Sequence, residues 1–131
     1  MNHADVISCY YTAFNADDAE GMLELLTDDV VHDINQGARQ TGKEVFRDFL
    51  CHMDHCYRER VVDLVVFANG DRGAAEFVIE GEYLRTDEGL PEARGQRYRL
   101  PVGAFFSFEN GRIARVTNYY NLQDWIDQVS R

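Results

Sequence analysis

Apolar residues recur at helical spacing from the start of the chain, at Val6, Ile7, Tyr10 and Phe14, and the pattern stops at Asn15-Ala16-Asp17. A first helix is expected there. Asp17 followed three residues later by Glu20 has capping-box spacing, and Met22, Leu25 and Leu26 supply the apolar face of a second, short helix. The paired acids Asp28-Asp29 lead into Val30-Val31-His32-Asp33-Ile34, a β-branched run closed by Asn35-Gln36-Gly37, which predicts a strand. Thr41, with Glu44 three residues on, opens another helix to about His55.

From Arg60 the period falls to two. Residues 61–68 and 74–85 read as strands separated by Asn69-Gly70-Asp71-Arg72-Gly73 and followed by a polar, acidic loop over 86–95. Residues 96–108 and 112–121 flank Asn110-Gly111, a pair that supplies the positive φ angles of a tight hairpin. Asn121 then caps a last helix carrying Leu122, Trp125, Ile126 and Val129. The order α-α-β-α-β-β-β-β-α predicts an α+β fold, a curved and mainly antiparallel sheet wrapped on helices around a concave pocket. No linker or repeat interrupts residues 1–131, so one domain is expected.

Composition narrows the function classes. Thirteen Lys+Arg against 23 Asp+Glu give a net charge of −10, which argues against nucleic-acid and anionic-membrane partners. The 45% hydrophobic content is enough for a core. The longest purely apolar run, residues 64–68, is far below the ~18 residues of a membrane helix. Three cysteines, an odd number, and a start with no basic and then apolar leader point to a cytoplasmic protein.

In residues 102–108 large aromatics alternate onto both faces: Phe106 and Phe108 on one, Phe105 on the other. The second set, with Ile113 and Tyr119 on the next strand, would be exposed unless covered, which predicts a homodimer packed sheet to sheet.

The element order, the Asp-Asp before a short strand carrying Asp33, and the string GRIARVTNYYN together resemble the nuclear transport factor 2-like superfamily, whose SnoaL-like and ketosteroid isomerase-like members include isomerases and polyketide cyclases. DDVVHDINQG, TDEGLPEARGQRYRLPVGAFF and IARVTNYYNLQDWI are especially similar to bacterial ketosteroid isomerase-related proteins. The resemblance spans the chain and implies a cone-shaped fold. It does not single out one reaction, because that fold hosts several.

Carried over residue by residue, the resemblance puts the isomerase's general base at Asp33 with a one-residue gap. Its oxyanion-donating tyrosine falls at Tyr10, with Tyr11 as alternative. The second oxyanion donor, an acid, falls near Ala104, where none exists; Tyr120 matches a terminal aromatic, and Asn118 lies on the same face. Abstracting a proton beside a carbonyl needs a base within hydrogen-bond reach and donors aimed at the developing enolate oxygen. The expectation is therefore a cofactor-free acid/base enzyme, an isomerase, cyclase or dehydratase of a small apolar carbonyl compound. Asp33 and Tyr10 are its catalytic candidates, and Val31, Phe106, Val116, Asn118 and Tyr120 line the pocket. The alternative is a non-catalytic small-molecule-binding or dimerisation module. His32 alternates with Asp33 and is expected on the other face.

Cys51-His52-Met53-Asp54-His55-Cys56 has i,i+4 spacings that invite a metal reading. On a helical wheel Cys56 falls among Phe46, Phe49 and Met53, with His52 at the edge and Cys51 and His55 opposite, so four ligands do not converge and no metal is expected. Arg97 and Arg99 are candidates for an anionic substrate group, although charges on an outward edge more often serve solvation.

Overall fold

The computed structural model describes residues 1–131. The helical repeat at the N-terminus forms α1 (His3–Asn15), capped by Asn2, whose side chain accepts from the Asp5 amide. A sharp reversal follows, with Asp17 at φ 55°, and the N-cap of α2 (Ala19–Leu23) falls to Asp18, one residue later than the capping-box reading placed it. Leu25 and Leu26 lie beyond this helix, Leu26 opening β1 (Leu26–Asp33). A two-residue strand, β2 (Gln40–Thr41), pairs with it, too short to carry a sequence signal. Helix α3 (Lys43–Cys56) starts at Gly42, φ 109°, without a side-chain cap.

Four long strands complete the sheet: β3 (Tyr57–Asn69), β4 (Arg72–Tyr83), β5 (Arg97–Glu109) and β6 (Arg112–Tyr120). Asn110 and Gly111 both have positive φ, as the hairpin reading required. The order is β2-β1-β6-β5-β4-β3, antiparallel except where β1 runs parallel to β6. Helix α4 (Leu122–Val129) packs on β5, α1 on β3 and β4, and α3 on β1. The α+β arrangement expected from the sequence is the one found, with six strands where five were read. No helix is long and apolar enough to cross a membrane.

Two bulges decide which side chains face inward. On β3 the register slips between Val62 and Val65, where Asp63 takes φ 54°, so Val61 and Val66 face the helices while Val65 and Phe67 face away. On β6 the slip opposite Ser107 and Phe108 turns Ile113 inward, where it is fully buried. This corrects the expectation that Ile113 lies on the outer face; strict alternation from Tyr119 cannot register an inserted residue. The outer face presents Val65, Phe67, Phe105 and Tyr119, each 45–54% exposed.

Candidate functional site

Between the helices and the concave face of the sheet lies a cavity of about 390 Å³, within the size range of small-ligand sites. Nineteen of its 24 lining residues are hydrophobic, so any ligand must be largely apolar. Its polar groups are few: Tyr10 and Tyr11 from α1, His32 from β1, His52 from α3, Tyr57 and Glu59 from β3, Asp87 from the loop after β4, and Asn118 and Tyr120 from β6.

Glu59 is placed by an arrangement across three strands. It pairs with Gly81 on β4, which in turn pairs with Tyr98 on β5. Because Gly81 has no side chain, the buried Tyr98 phenol crosses over it and donates to Glu59 Oε2 at 2.6 Å. Desolvation raises the Glu59 pKa above the usual carboxylate range, and the Tyr98 hydrogen bond opposes part of that rise. A second, more charged depression shares Phe14, Met22, Tyr57 and Glu59 with the cavity and adds Asp18, Arg58 and Arg85. Glu59 thus stands between an apolar chamber and a polar approach, where a carboxyl can exchange protons on either side.

Asp87 accepts from the Tyr57 hydroxyl at 2.7 Å and pairs with His52 Nε2 at 2.9 Å. The acidic loop is therefore folded against the cavity: the Asp87 amide donates to Tyr83 Oη, and Tyr83 donates to the Pro91 carbonyl. Desolvation, then the charges of Glu59 and Asp87, push the Tyr120 hydroxyl pKa up, keeping it a neutral phenol.

The expected site residues divide. Tyr10, Asn118 and Tyr120 line the cavity. Asp33 and Val31 do not. Asp33 faces away from it, taking a bidentate pair from Arg39 at 2.7 and 3.0 Å and a hydrogen bond from Thr117 Oγ1 at 2.7 Å. These contacts hold its carboxyl below the usual range, led by the Arg39 hydrogen bonds, whereas a raised value had been expected. Side chains alternate along β1, so the inward set is Val30, His32 and Ile34, and the predicted faces of Asp33 and His32 are exchanged. Counted without its gap, the resemblance sets Ile34 at the base position, and Ile34 lines the cavity. Phe106 and Val116 do point inward, yet both are fully buried beneath the cavity and outside its lining. Ala104 is buried on the inner face, paired with Asn118. Arg99 bonds Glu80 and Asp63 on the exposed edge, away from the cavity.

Sequence reading passed over Glu59 and Asp87. Glu59 sits between Arg58 and Arg60, which reads as a solvated stretch before a strand starting at Val61. Extending the period of two backwards from Val61 would have brought it onto the inner face. Asp87 carried no comparable signal, because only the folded loop brings it to Tyr57.

His32 is 2% exposed, packed against Phe46 and Phe49 at 4.5 and 4.7 Å between ring centroids, with Nδ1 unpartnered. Burial lowers its pKa from 6.5 to about 4, so the unfolded chain takes up this proton first as pH falls. That contribution to stability is complete above pH 6.5 and should decline by about 3 kcal/mol on acidification to pH 4. Denaturant titrations of wild type and His32→Leu over this window should differ in slope; parallel curves would show that His32 is not held neutral.

Residues 7–116 match the family model described as the SnoaL-like domain. The chain is 56% identical to a Pseudomonas putida protein described as a candidate polyketide cyclase, covering 98% of both chains at a TM-score of 0.97. Candidate polyketide cyclases from Xanthomonas campestris and a Silicibacter species are each 53% identical. Coverage is 97% of this chain and 96% of the former at TM-score 0.94, and 98% and 96% for the latter at 0.97. No curated protein matches. The family match over most of the chain and the full-length similarity to these structures agree with the curved sheet packed on helices: the chain belongs to the SnoaL-like domain family, within the nuclear transport factor 2-like fold.

Proposed function

We propose that the chain is an acid/base enzyme of the cyclase or isomerase type, acting on a small, largely apolar carbonyl compound, with Glu59 as the group that takes and returns the proton. The carrying observation is a carboxyl with raised pKa in the wall of an apolar cavity, held by a single hydroxyl donor. A base works best with a pKa near the operating pH, and desolvation moves Glu59 that way. The similarity to candidate polyketide cyclases supports the same reaction class. Tyr120, neutral and within reach of the charge of Glu59, is a candidate donor to an enolate oxygen, with Asn118 beside it on β6 and Tyr10 on the helical wall as further donors. Asp33, paired with Arg39 outside the cavity, takes no step in this scheme.

The direct test is solvent-deuterium exchange at carbon beside a carbonyl, followed by NMR over a panel of ketones, enones and β-diketones. Exchange by wild type that Glu59→Gln abolishes supports the proposal. Tight binding without exchange would favour the alternative, a small-molecule-binding module.

We also infer a homodimer through the outer sheet face. Val65, Phe67, Phe105 and Tyr119 form an exposed apolar set there, and Phe105 and Tyr119 meet edge to face at 5.9 Å. Light scattering should give twice the 15.1 kDa chain mass. Phe105→Glu, which would bury an unpaired charge in that contact, should shift the mass toward monomer at micromolar concentration. A wild-type monomer would remove the inference.

A further inference from the structure

We propose that His52, Cys56 and Asp87 form a binding site for a zinc-class divalent cation at the edge of the cavity. His52 and Cys56 stand four residues apart on the last turn of α3, on one side of the helix, and Asp87 arrives from the loop after β4. One donor atom from each lies within 4.8 Å of the others. Imidazole nitrogen, thiolate sulfur and carboxylate oxygen together are a zinc-class donor set.

The geometry is close to that of a filled site. Bonds of about 2.0–2.3 Å to a tetrahedral cation leave donor atoms about 3.3–3.7 Å apart. His52 Nε2 and Asp87 Oδ1 are 2.9 Å apart, a hydrogen bond that opens by about 0.4 Å on metal binding with the imidazole proton on Nδ1, and the thiol, within 4.8 Å of both, closes by up to about 1 Å. Two of the donors, Cys56 and Asp87, are also held by bonds from outside the site. The amides of Leu84 and Arg85 both donate to the Cys56 carbonyl, tying the loop to the end of α3, and Tyr83 Oη accepts from the Asp87 amide. Tyr57 donates to the other Asp87 oxygen at 2.7 Å, the outer-shell hydrogen bond that orients a ligating carboxylate.

Binding replaces the S–H bond of Cys56 by a bond from sulfur to the cation and releases one proton to solvent. Thiolate and carboxylate then balance the divalent charge. With three protein ligands a fourth position is left for water or a ligand, and two of the three, His52 and Asp87, line the cavity. The ligands do not all lie on α3: the third comes from the loop 31 residues beyond Cys56.

The test uses the whole chain, stripped with a chelator and titrated with Co²⁺, following the thiolate-to-cobalt charge-transfer band and then the zinc stoichiometry by mass spectrometry. One cation per chain with that band is expected. His52 is half exposed, so His52→Ala should fold and should cost at least about 100-fold in affinity, more than the roughly 10-fold expected of Tyr57→Phe. Cys51→Ser, an exposed thiol on the opposite side of α3, should change nothing. The proposal is overturned if Co²⁺ gives no charge-transfer band, if binding survives His52→Ala, or if it disappears with Cys51→Ser. None of these outcomes touches the role of Glu59, which is read by proton exchange.

Discussion

Glu59→Gln is expected to lower proton exchange on a turned-over substrate by about 100- to 10 000-fold while leaving the folded protein no less stable. The amide keeps the shape of the carboxyl and can still meet the Tyr98 hydroxyl, but it cannot accept a proton from carbon. The stability half of the expectation follows from the same desolvation. A carboxyl whose folded pKa exceeds its unfolded value binds more protons folded than unfolded between the two values. Its ionisation therefore subtracts from stability as pH rises through that window, and an uncharged replacement escapes the loss. Thermal unfolding at pH 7 should give a midpoint for Glu59→Gln at or above wild type. Loss of exchange together with a lower midpoint would mean that Glu59 is structural. Tyr98→Phe supplies the complementary shift: its hydrogen bond lowers the Glu59 pKa, so removing it should move the acid limb of the pH–rate profile to higher pH.

What was legible in the sequence depended on the range of the signal. The helix face of Val6, Ile7 and Tyr10, the Asn110-Gly111 turn and the capping of α4 by Asn121 are local, and each appears as read. The faces of the strands are less secure, because period two makes a one-residue error invert every side chain. At β1 that inversion set Asp33 and Val31 inward and His32 outward. A β-branched run with one acid in it offers no internal mark of which face is buried, and the mark is supplied by Phe46 and Phe49 of α3 closing over His32. At β6 the bulge before Arg115 turned Ile113 inward while Tyr119 stayed out. The polar members of the site were the least legible, for they depend on registers across three strands, Glu59 to Gly81 to Tyr98, and on a loop whose acids are indistinguishable in sequence from solvated ones. The family resemblance carried Tyr10, Asn118 and Tyr120 into the cavity. At Asp33 it placed the base on a side chain that turns away from the cavity to Arg39 and Thr117.

Gly81→Ala should be among the most damaging small substitutions in the chain, and through packing rather than backbone freedom. A Cβ at this position would meet Cζ, Cε2 and Oη of Tyr98 closer than the 3.0 Å that real Cβ contacts respect. The ring has little room to retreat, since it is 5% exposed and meets Trp125 edge-on at 5.9 Å between centroids. Overpacking of this kind costs about 1–3 kcal/mol, and the upper end is expected here because the collision involves a buried ring against backbone. The displaced phenol would also leave Glu59 without its donor, so the acid limb of the pH–rate profile should move upward as in Tyr98→Phe. The combination distinguishes this account from a general loss of sheet stability. If Gly81 exists to let Tyr98 cross, the costs of Gly81→Ala and Tyr98→Ala must be strongly non-additive. Once the ring is absent, the added methyl enters the space it vacated, and Gly81→Ala in that background should be neutral or stabilising by denaturant unfolding. Additive losses would show that the glycine serves the strand itself, and would detach the Tyr98–Glu59 hydrogen bond from the reason Gly81 is there.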